Sequence, residues 1–250
     1  MDYTYPDFFA RFYDVIYNHL RNEADHDYFM NKILEAKGPV LEVGVGTGRF
    51  FIEALSKGAD IYGIDFSPEM IAILKKKLPE NEHYRVDVLD ICDMQSKRTF
   101  NLIVAPFRVF MHLLSIEKQL MALNNMHNHL RPEGKFIFDL FVPNLKMLAE
   151  GIENMNDFTG EYEPGKKLQR FTTMHADPVN QISHVTFKFV WQEEGKELNR
   201  SWSTSLRFFF MYELEHLLFR SEFKEYKIFG DFAENNPTRE SKEFVIICTR

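Results

Sequence analysis

The sequence contains little cysteine, no long apolar run and no excess of basic residues, and each of these absences excludes a class of protein. Only Cys92 and Cys248 are present, too few for a disulfide framework and without the CxxC spacing of a zinc site. Charged residues interrupt the apolar stretches well before the ~20 residues that a membrane-spanning helix needs. A formal net charge of −7 makes binding to a nucleic-acid backbone a poor expectation.

The N-terminus carries Asp2 and Asp7 and lacks a basic stretch followed by an apolar one, unlike a secretory signal. Together with the scarcity of cysteine, this predicts a cytoplasmic protein. We expect no membrane or nucleic-acid partner, and either a monomer or a homodimer.

Aromatic residues are abundant, with 25 Phe, 10 Tyr and 2 Trp, while 45% of the residues are hydrophobic and 27% are charged. These fractions are typical of a globular chain. Because each aromatic ring can bury about 150–250 Å², such a chain can fill a core and still line an apolar pocket. The length favours one large domain, or one domain with an insertion.

Short β-like runs alternate with longer helical ones in the first part of the chain, an order typical of a parallel α/β sheet. Apolar residues at three- and four-residue spacing predict one or two amphipathic helices over 6–36. Ser67 and Pro68 form a helix start. Strands are predicted at 39–43, 59–64, 82–88, 100–105 and 135–141, and further helices at 49–57 and 115–130.

The pattern changes after Pro143, where polar and apolar residues alternate in three runs separated by turn residues. This alternation is typical of an antiparallel sheet with one solvated face. The runs are 168–177, 181–193 and 198–210. The chain then returns to a helix at 211–222 and to strands at 223–229 and 243–249.

These patterns together predict an α/β protein with a mostly parallel sheet and an inserted antiparallel sheet. The predicted units are an N-terminal helical segment at 1–37, an α/β domain formed by 38–150 and 211–250, and the insertion at 151–210.

The sharpest motif is VLEVGVGTGR at 40–49. A predicted strand ends there, three glycines turn the chain, and a helix begins whose N-terminal amides can face a ligand. Arg49 stands where the dinucleotide fingerprint GxGxxG requires glycine, and the GK[ST] ending of a P-loop is absent. The remaining pattern is ExGxGxG, for which a plain structural turn is the alternative interpretation.

Two aspartates lie at the ends of the next two predicted strands. Asp65 follows Gly46 by 19 residues, where a carboxylate can accept hydrogen bonds from both ribose hydroxyls. Asp87 can accept from an adenine amino group, while the amide of Val88 can donate to a ring nitrogen. Either aspartate alone is compatible with a turn or a helix cap. A glycine-rich loop and two acids at successive strand ends together indicate a nucleoside ligand.

The sequence resembles the class I S-adenosylmethionine-dependent methyltransferases. The resemblance rests on five segments in the family's order: LEVGVGTG at 41–48, GIDFSPEMI at 63–71, VDV at 86–88, FNLIVAPF at 100–107 and LRPEGKFIF at 130–138. The segment FYDVIY at 12–17 and the antiparallel insertion are similar to those of small-molecule N-methyltransferases of the amino-sugar and glycine type, in which the insertion caps the active site. We therefore call the insertion the cap.

The resemblance implies a doubly wound, seven-stranded, mostly parallel sheet of Rossmann-like type. It also implies an enzyme that transfers a methyl group from S-adenosyl-L-methionine, leaving S-adenosyl-L-homocysteine, to a small-molecule acceptor. The implied acceptor atom is an amine nitrogen.

The resemblance further assigns contacts with the cofactor to individual residues. Thr47 is expected at the cofactor's carboxylate, Asp65 at the ribose, and the carbonyl of Ala105 at the α-amino group. Phe66 and Met70 are expected to flank the adenine. The full set of expected cofactor-binding residues is Tyr17, Glu42, Gly44, Gly46, Thr47, Gly48, Asp65, Phe66, Met70, Asp87, Val88 and Ala105.

Methyl transfer from an activated sulfonium mainly requires that the nucleophile be held about 3 Å from the methyl carbon, and an amine must also be deprotonated. His112 and Asp139 follow the fourth and fifth predicted strands and are the predicted catalytic residues, with a structural histidine and a capping carboxylate as alternatives. We expect Arg108 either to bind an anionic group of the substrate or to pair with Glu42 or an exposed acid. No metal ion is predicted.

Two rival functions use the same cofactor motifs. One is a methyltransferase for tRNA or protein, although the acidic charge and the cap weigh against it. FNLIVAPF also lacks the Asn/Asp-Pro-Pro-Phe/Tyr tetrad of many nucleobase amino methylators. The other is a binding module that retains S-adenosylmethionine without catalysis.

Overall fold

The computed structural model describes residues 5–20 and 23–250; residues 1–4 and 21–22 of the predicted N-terminal segment lie outside them. The helices are α1 (Asp7–His19), α2 (Glu23–Glu35), α3 (Phe51–Ser56), α4 (Pro68–Lys77), α5 (Ile116–His129), α6 (Leu145–Glu150) and α7 (Met211–Arg220). The strands are β1 (Val40–Val43), β2 (Ile61–Asp65), β3 (Val86–Val88), β4 (Phe100–Ala105), β5 (Leu130–Phe141), β6 (Ile152–Glu163), β7 (Lys166–Asp177), β8 (Ile182–Glu193), β9 (Lys196–Arg207), β10 (Glu225–Phe229) and β11 (Glu243–Thr249).

Seven strands form one twisted sheet in the order β10-β11-β5-β4-β1-β2-β3. β1 pairs in parallel with β2 and β4, and β4 pairs in parallel with β5. Only β11 is antiparallel to its neighbours β5 and β10 among these described pairs. The predicted seven-stranded, mostly parallel fold is therefore confirmed.

Local sequence explains where the central elements begin. All four residues of β1 are buried, as expected for a strand covered by helices on both faces. The side chain of Ser67 accepts a hydrogen bond from the amide of Met70 at 3.2 Å, and Pro68 occupies the first turn of α4. Ser115 caps α5 in the same way through the amide of Lys118.

The prediction of a strand over 82–88 is wrong for most of its length. A 3₁₀ helix occupies Glu80–Arg85, and only Val86–Val88 pairs with β2. The amide of Glu82 bonds to the carbonyl of Pro79, and none of the six residues is buried, so the segment contributes no core side chain of the kind that packs a strand into the sheet.

The cap is a four-stranded antiparallel sheet in the order β6-β7-β8-β9. The sequence predicted three of these strands but not β6, in which most residues are exposed and Phe158 alone is buried. An edge strand with two solvated sides carries little alternation, which explains the omission. None of the helices within 5–20 and 23–250 is long and apolar enough to cross a membrane.

Helix α1 packs on the cap as well as on the α/β domain. Phe9 and Phe12 of α1 lie in one apolar cluster with Phe189 and Trp191 of β8. Met70 of α4 is the member of this cluster that comes from the α/β domain. The N-terminal helix and the cap therefore share a core that borders the carboxyl edge of the main sheet.

Candidate active site

A cavity of about 1080 Å³ lies at the carboxyl edge of the parallel strands. Its floor includes Gly44 after β1, Asp65 at the end of β2 and Val88 at the end of β3. Tyr17 of α1 and Phe187 of the cap line it from the opposite side. The cavity is thus enclosed jointly by the strand ends, the N-terminal helix and the cap.

Two glycines of the motif, Gly46 and Gly48, serve different purposes. At Gly46, which has a φ of +54°, an added Cβ would meet no atom closer than 3.9 Å, so the backbone there borders open space. At Gly48, with a φ of +93°, a Cβ would lie 2.4 Å from the side chain of Leu74. Gly46 therefore keeps the loop open toward the cavity, whereas Gly48 allows the loop to pack on α4.

The Asp65 carboxylate is anchored beside this loop. Its two oxygens accept hydrogen bonds from the amides of Gly46 and Ser67, both at 2.9 Å. Burial raises the pKa of Asp65 to about 6, and the two amides oppose that rise. Each oxygen retains a further lone pair, so the fixed carboxylate can accept from two adjacent hydroxyls.

Glu42 lies behind the loop and is only 1% exposed. Its Oε2 atom is buried and has no hydrogen-bond partner among the described residues. Burial raises the pKa of the Glu42 carboxyl group well above its ordinary value; Arg49 opposes this rise and Asp65 adds to it.

Arg108 joins β4 to the neighbouring strands at this edge. Its guanidinium donates to Asp139 at 2.8 Å and to Glu243. The expectation that Arg108 pairs with Glu42 or an exposed acid is wrong, because parallel pairing of β4 with β5 and antiparallel pairing of β5 with β11 bring these two inner carboxylates together. Phe107 and Arg108 both have a φ near +61°, a conformation that costs energy and is concentrated at functional sites.

The two predicted catalytic residues have different surroundings. His112 lines the cavity, and its buried Nδ1 has no hydrogen-bond partner among the described residues. Burial lowers the pKa of His112 to about 4, so the imidazole is neutral at pH 7. Asp139 is fully buried beneath Arg108; burial raises its pKa to about 6 against the effect of that cation. Asp139 therefore reaches the cavity only through Arg108.

The structure brings together most of the residues predicted for the site. Those that line the cavity are Tyr17, Gly44, Gly46, Asp65, Phe66, Met70, Val88 and His112. Those that do not line it are Glu42, Thr47, Gly48, Asp87, Ala105 and Asp139. The hydroxyl of Thr47 donates to Asp14 of α1 at 2.6 Å, and Asp87 is exposed on the edge strand.

An aromatic wall on the far side of the cavity was not predicted from the sequence. The Trp202 ring of β9 lies 4.4 Å from the ring of Phe9 and 4.9 Å from that of Tyr5. Tyr13 lines the cavity beside them. The apolar spacing of α1 predicted that Phe9 and Tyr13 lie on one face of a helix, but it contained no signal for what that face contacts.

A buried ion pair within the cap places a guanidinium against α1 next to this wall. Arg170 of β7 makes two hydrogen bonds of 2.9 Å to Asp157 of β6, which also accepts from Thr172 at 2.6 Å. The Arg170 guanidinium lies 5.1 Å from the ring of Tyr17 and 4.7 Å from that of Phe187. Arg170 thus contacts two rings that line the cavity from different elements.

The chain is similar to known methyltransferases in sequence. The family described as "Methyltransferase domain" matches residues 40–134. An uncharacterized methyltransferase of Bacillus cytotoxicus is 33% identical over 168 residues, which cover 63% of this chain and 77% of that protein.

Solved structures show the same architecture. An S-adenosylmethionine-dependent methyltransferase from Clostridium acetobutylicum has a TM-score of 0.77 and 17% identity, covering 97% of this chain and 98% of that one. The sugar N-methyltransferase KedS8 from Streptoalloteichus has a TM-score of 0.75 and 18% identity, covering 95% and 92%. At these identities the likeness shows the fold.

Proposed function

Since this chain belongs to the class I S-adenosylmethionine-dependent methyltransferases, we propose that it methylates an amine nitrogen of a small-molecule acceptor. The observation that carries this proposal is that one continuous cavity borders Gly46 and Asp65 as well as the aromatic wall. The donor and a small acceptor can therefore bind side by side in the same cavity. A macromolecular acceptor would need a more open approach to the strand ends.

The described residues fit the donor. Open space in front of Gly46 admits a ligand against the loop backbone, and the anchored Asp65 carboxylate can accept from a ribose diol. The residues that we propose to contact the donor are the predicted ones that line the cavity, namely Tyr17, Gly44, Gly46, Asp65, Phe66, Met70 and Val88. The other residues predicted for the donor, Glu42, Thr47, Gly48, Asp87 and Ala105, do not line the cavity. When bound, the donor supplies an activated methyl group on sulfur.

The chain's own contribution to transfer is mainly orientation and the exclusion of water. Trp202, Phe187 and Tyr13 form an apolar surface on which the body of an acceptor can lie. The amine nitrogen would then be held toward the strand ends, where alignment lowers the barrier to in-line attack. Closure by the cap keeps water from competing as a nucleophile.

We further propose that His112 contacts the acceptor nitrogen. Its neutral imidazole can accept a hydrogen bond from the amine and direct the nitrogen lone pair toward the methyl group. Asp139 acts as a positioning residue, because its carboxylate fixes Arg108 at the cavity wall.

A donor and acceptor screen tests the proposed function. Native mass spectrometry of the purified protein should detect retained S-adenosylmethionine or S-adenosylhomocysteine. Incubation with a donor labelled in its methyl group and a panel of primary and secondary amines should then label a small molecule. Preferential labelling of tRNA or protein would contradict the small-molecule acceptor. Tight donor binding without transfer to any class would favour the binding module.

A further inference from the structure

Strand β9 of the cap presents alternate residues to the cavity. Trp202, Thr204 and Leu206 line it, and they share one face of the strand because successive side chains of a strand point to opposite faces. β9 is the edge strand of the cap sheet, and it packs against the 3₁₀ helix Val109–His112 that follows β4. This face of β9 therefore borders the part of the cavity that His112 lines.

Thr204 is the polar member of this face, between an aromatic ring and an aliphatic side chain. It is 6% exposed, and its buried Oγ1 has no hydrogen-bond partner among the described residues. A hydroxyl that is buried without a partner lowers stability, whereas valine has nearly the same shape and no polar group to satisfy. The Thr204 hydroxyl is therefore not explained by the stability of the fold, and its place at the cavity indicates a ligand.

Two other buried hydroxyls of the cap have partners within it. Thr172 donates to Asp157 at 2.6 Å, and Oγ of Ser205 lies 2.9 Å from Nδ1 of His184. Ser205 follows Thr204 in β9, so its side chain points to the opposite face of the sheet. Of these three hydroxyls, the one that faces the cavity is the one without a partner.

A second unpartnered polar atom lines the same part of the cavity. Nδ1 of His112 is buried without a hydrogen-bond partner, and His112 ends the 3₁₀ helix on which β9 packs. Arg108 also lines the cavity, but its guanidinium is already bound to Asp139 and Glu243. Of the described residues that line the cavity, only Thr204 and His112 have a buried side-chain atom without a partner.

Two such atoms on adjoining elements suit a ligand with two polar groups. The proposed function assigns the amine nitrogen of the acceptor to His112. A hydroxyl group of the same acceptor can donate to Oγ1 of Thr204 or accept from it. An amine without a hydroxyl would cover Thr204 and leave its Oγ1 unpaired, and a site built to bind a substrate hydroxyl rejects such an analogue.

We propose that Thr204 selects the acceptor by binding a hydroxyl group close to the amine nitrogen, so that the acceptor is a hydroxylated amine and not a plain alkyl amine. The inference rests on the proposed function, because His112 holds the nitrogen there. Thr204 orients the acceptor through this hydrogen bond and takes no part in the movement of the proton or the methyl group.

Amines of matched shape test the proposal. Cyclohexylamine is compared with the aminocyclohexanols, a set of isomers that adds one hydroxyl at increasing distance from the same nitrogen. Transfer of a labelled methyl group from S-adenosylmethionine gives kcat/KM for each amine. The wild-type protein should prefer at least one aminocyclohexanol by about ten- to a hundredfold. Thr204→Val should remove this preference, while Thr204→Ser, which keeps the hydroxyl, should retain most of it.

Two controls separate this role from a structural one. Thr186→Val, on the opposite face of the cap, removes a hydroxyl that lies 2.8 Å from Oγ of Ser203, and it should leave the acceptor preference unchanged. In ligand-free protein, Thr204→Val should not lower the melting temperature, because no hydrogen bond within the protein is lost. Calorimetry should also find the same affinity for S-adenosylhomocysteine in Thr204→Val as in the wild type.

Equal kcat/KM for cyclohexylamine and every aminocyclohexanol in the wild type would overturn the role of Thr204. An unchanged preference in folded Thr204→Val, or a lower melting temperature of that variant without ligand, would do the same. If the wild-type protein binds S-adenosylhomocysteine but methylates none of these amines, the result would instead contradict the amine acceptor of the proposed function.

Discussion

The Arg170 guanidinium lies 5.1 Å from the centre of the Tyr17 ring, so the cap contacts the N-terminal helix at a residue that lines the cavity. Tyr17 is expected to close the donor site, and Arg170 is held by its double hydrogen bond to Asp157. This relationship makes the position of α1 dependent on the cap.

Arg170→Leu should lower kcat/KM by about tenfold or more, because Asp157 loses its cation and the Tyr17 ring loses its contact with the guanidinium. Arg170→Lys should recover part of the loss, since it restores the charge but not the planar double hydrogen bond. Steady-state kinetics and calorimetry with S-adenosylhomocysteine measure both effects. Lys167→Leu, at an exposed position of the same strand, is the control. Wild-type kinetics in folded Arg170→Leu would show that the contact does not position Tyr17.

The sequence predicted the main sheet and the floor of the site because these depend on local signals. Buried strands are continuous apolar runs, and the residues that face a ligand follow them directly, as Gly46 and Asp65 do. The same rule placed His112 at the cavity. Thr47 follows the same strand, yet its hydroxyl binds Asp14, because loop geometry and not sequence order decides which side chain faces the ligand.

The upper half of the site depends on contacts between distant segments, which periodicity does not specify. The face of α1 was predictable, but its packing on Phe189 and Trp191 was not. Neither the Arg170–Asp157 pair nor the unpartnered Glu42 oxygen follows from any spacing in the sequence. Both arise from the arrangement of the cap and the sheet in three dimensions.

The glycine loop gives a paired prediction. Gly46→Val places its side chain in open space, so the fold should survive with a cost of about 1 kcal/mol for the positive φ, while donor binding is lost. Gly48→Val drives a Cβ into Leu74 and Ile52, and it should lower thermal stability more than Gly46→Val does. Calorimetric binding and thermal unfolding distinguish the two. Normal donor affinity in Gly46→Val would place the ligand elsewhere.

The raised pKa of Asp65 predicts how stability depends on pH. The pKa of Asp65 is about 6 in the folded protein and 3.8 in the unfolded chain. The contribution of Asp65 to the free energy of unfolding is therefore fully present below about pH 3.8 and is lost as the pH rises through 6. In ligand-free protein, Asp65→Asn should therefore gain stability relative to wild type between about pH 4 and about pH 7, by roughly 2 kcal/mol.

Urea unfolding at several pH values measures this difference, and saturating S-adenosylhomocysteine should reverse it, because only the wild-type carboxylate binds the ribose diol strongly. A difference that is independent of pH would mean that Asp65 titrates as an ordinary aspartate in the folded protein.

The surroundings of His112 predict the origin of the acid limb in the rate profile. With its pKa lowered to about 4, the imidazole is already neutral where most enzymes work, so it cannot produce a limb near pH 6 to 7. The acid limb of kcat/KM should instead shift with the pKa of the acceptor amine when acceptors of different basicity are compared.

His112→Leu should lower kcat by about ten- to a hundredfold with little change in donor affinity. His112→Asn, which keeps a hydrogen-bonding atom near Nδ1, should retain more activity. His216→Leu at an exposed position controls for the loss of a histidine. A limb that stays fixed for every acceptor and disappears in His112→Leu would show that His112 is a general base with an ordinary pKa, which would require the cavity around Nδ1 to be far better hydrated than its burial indicates.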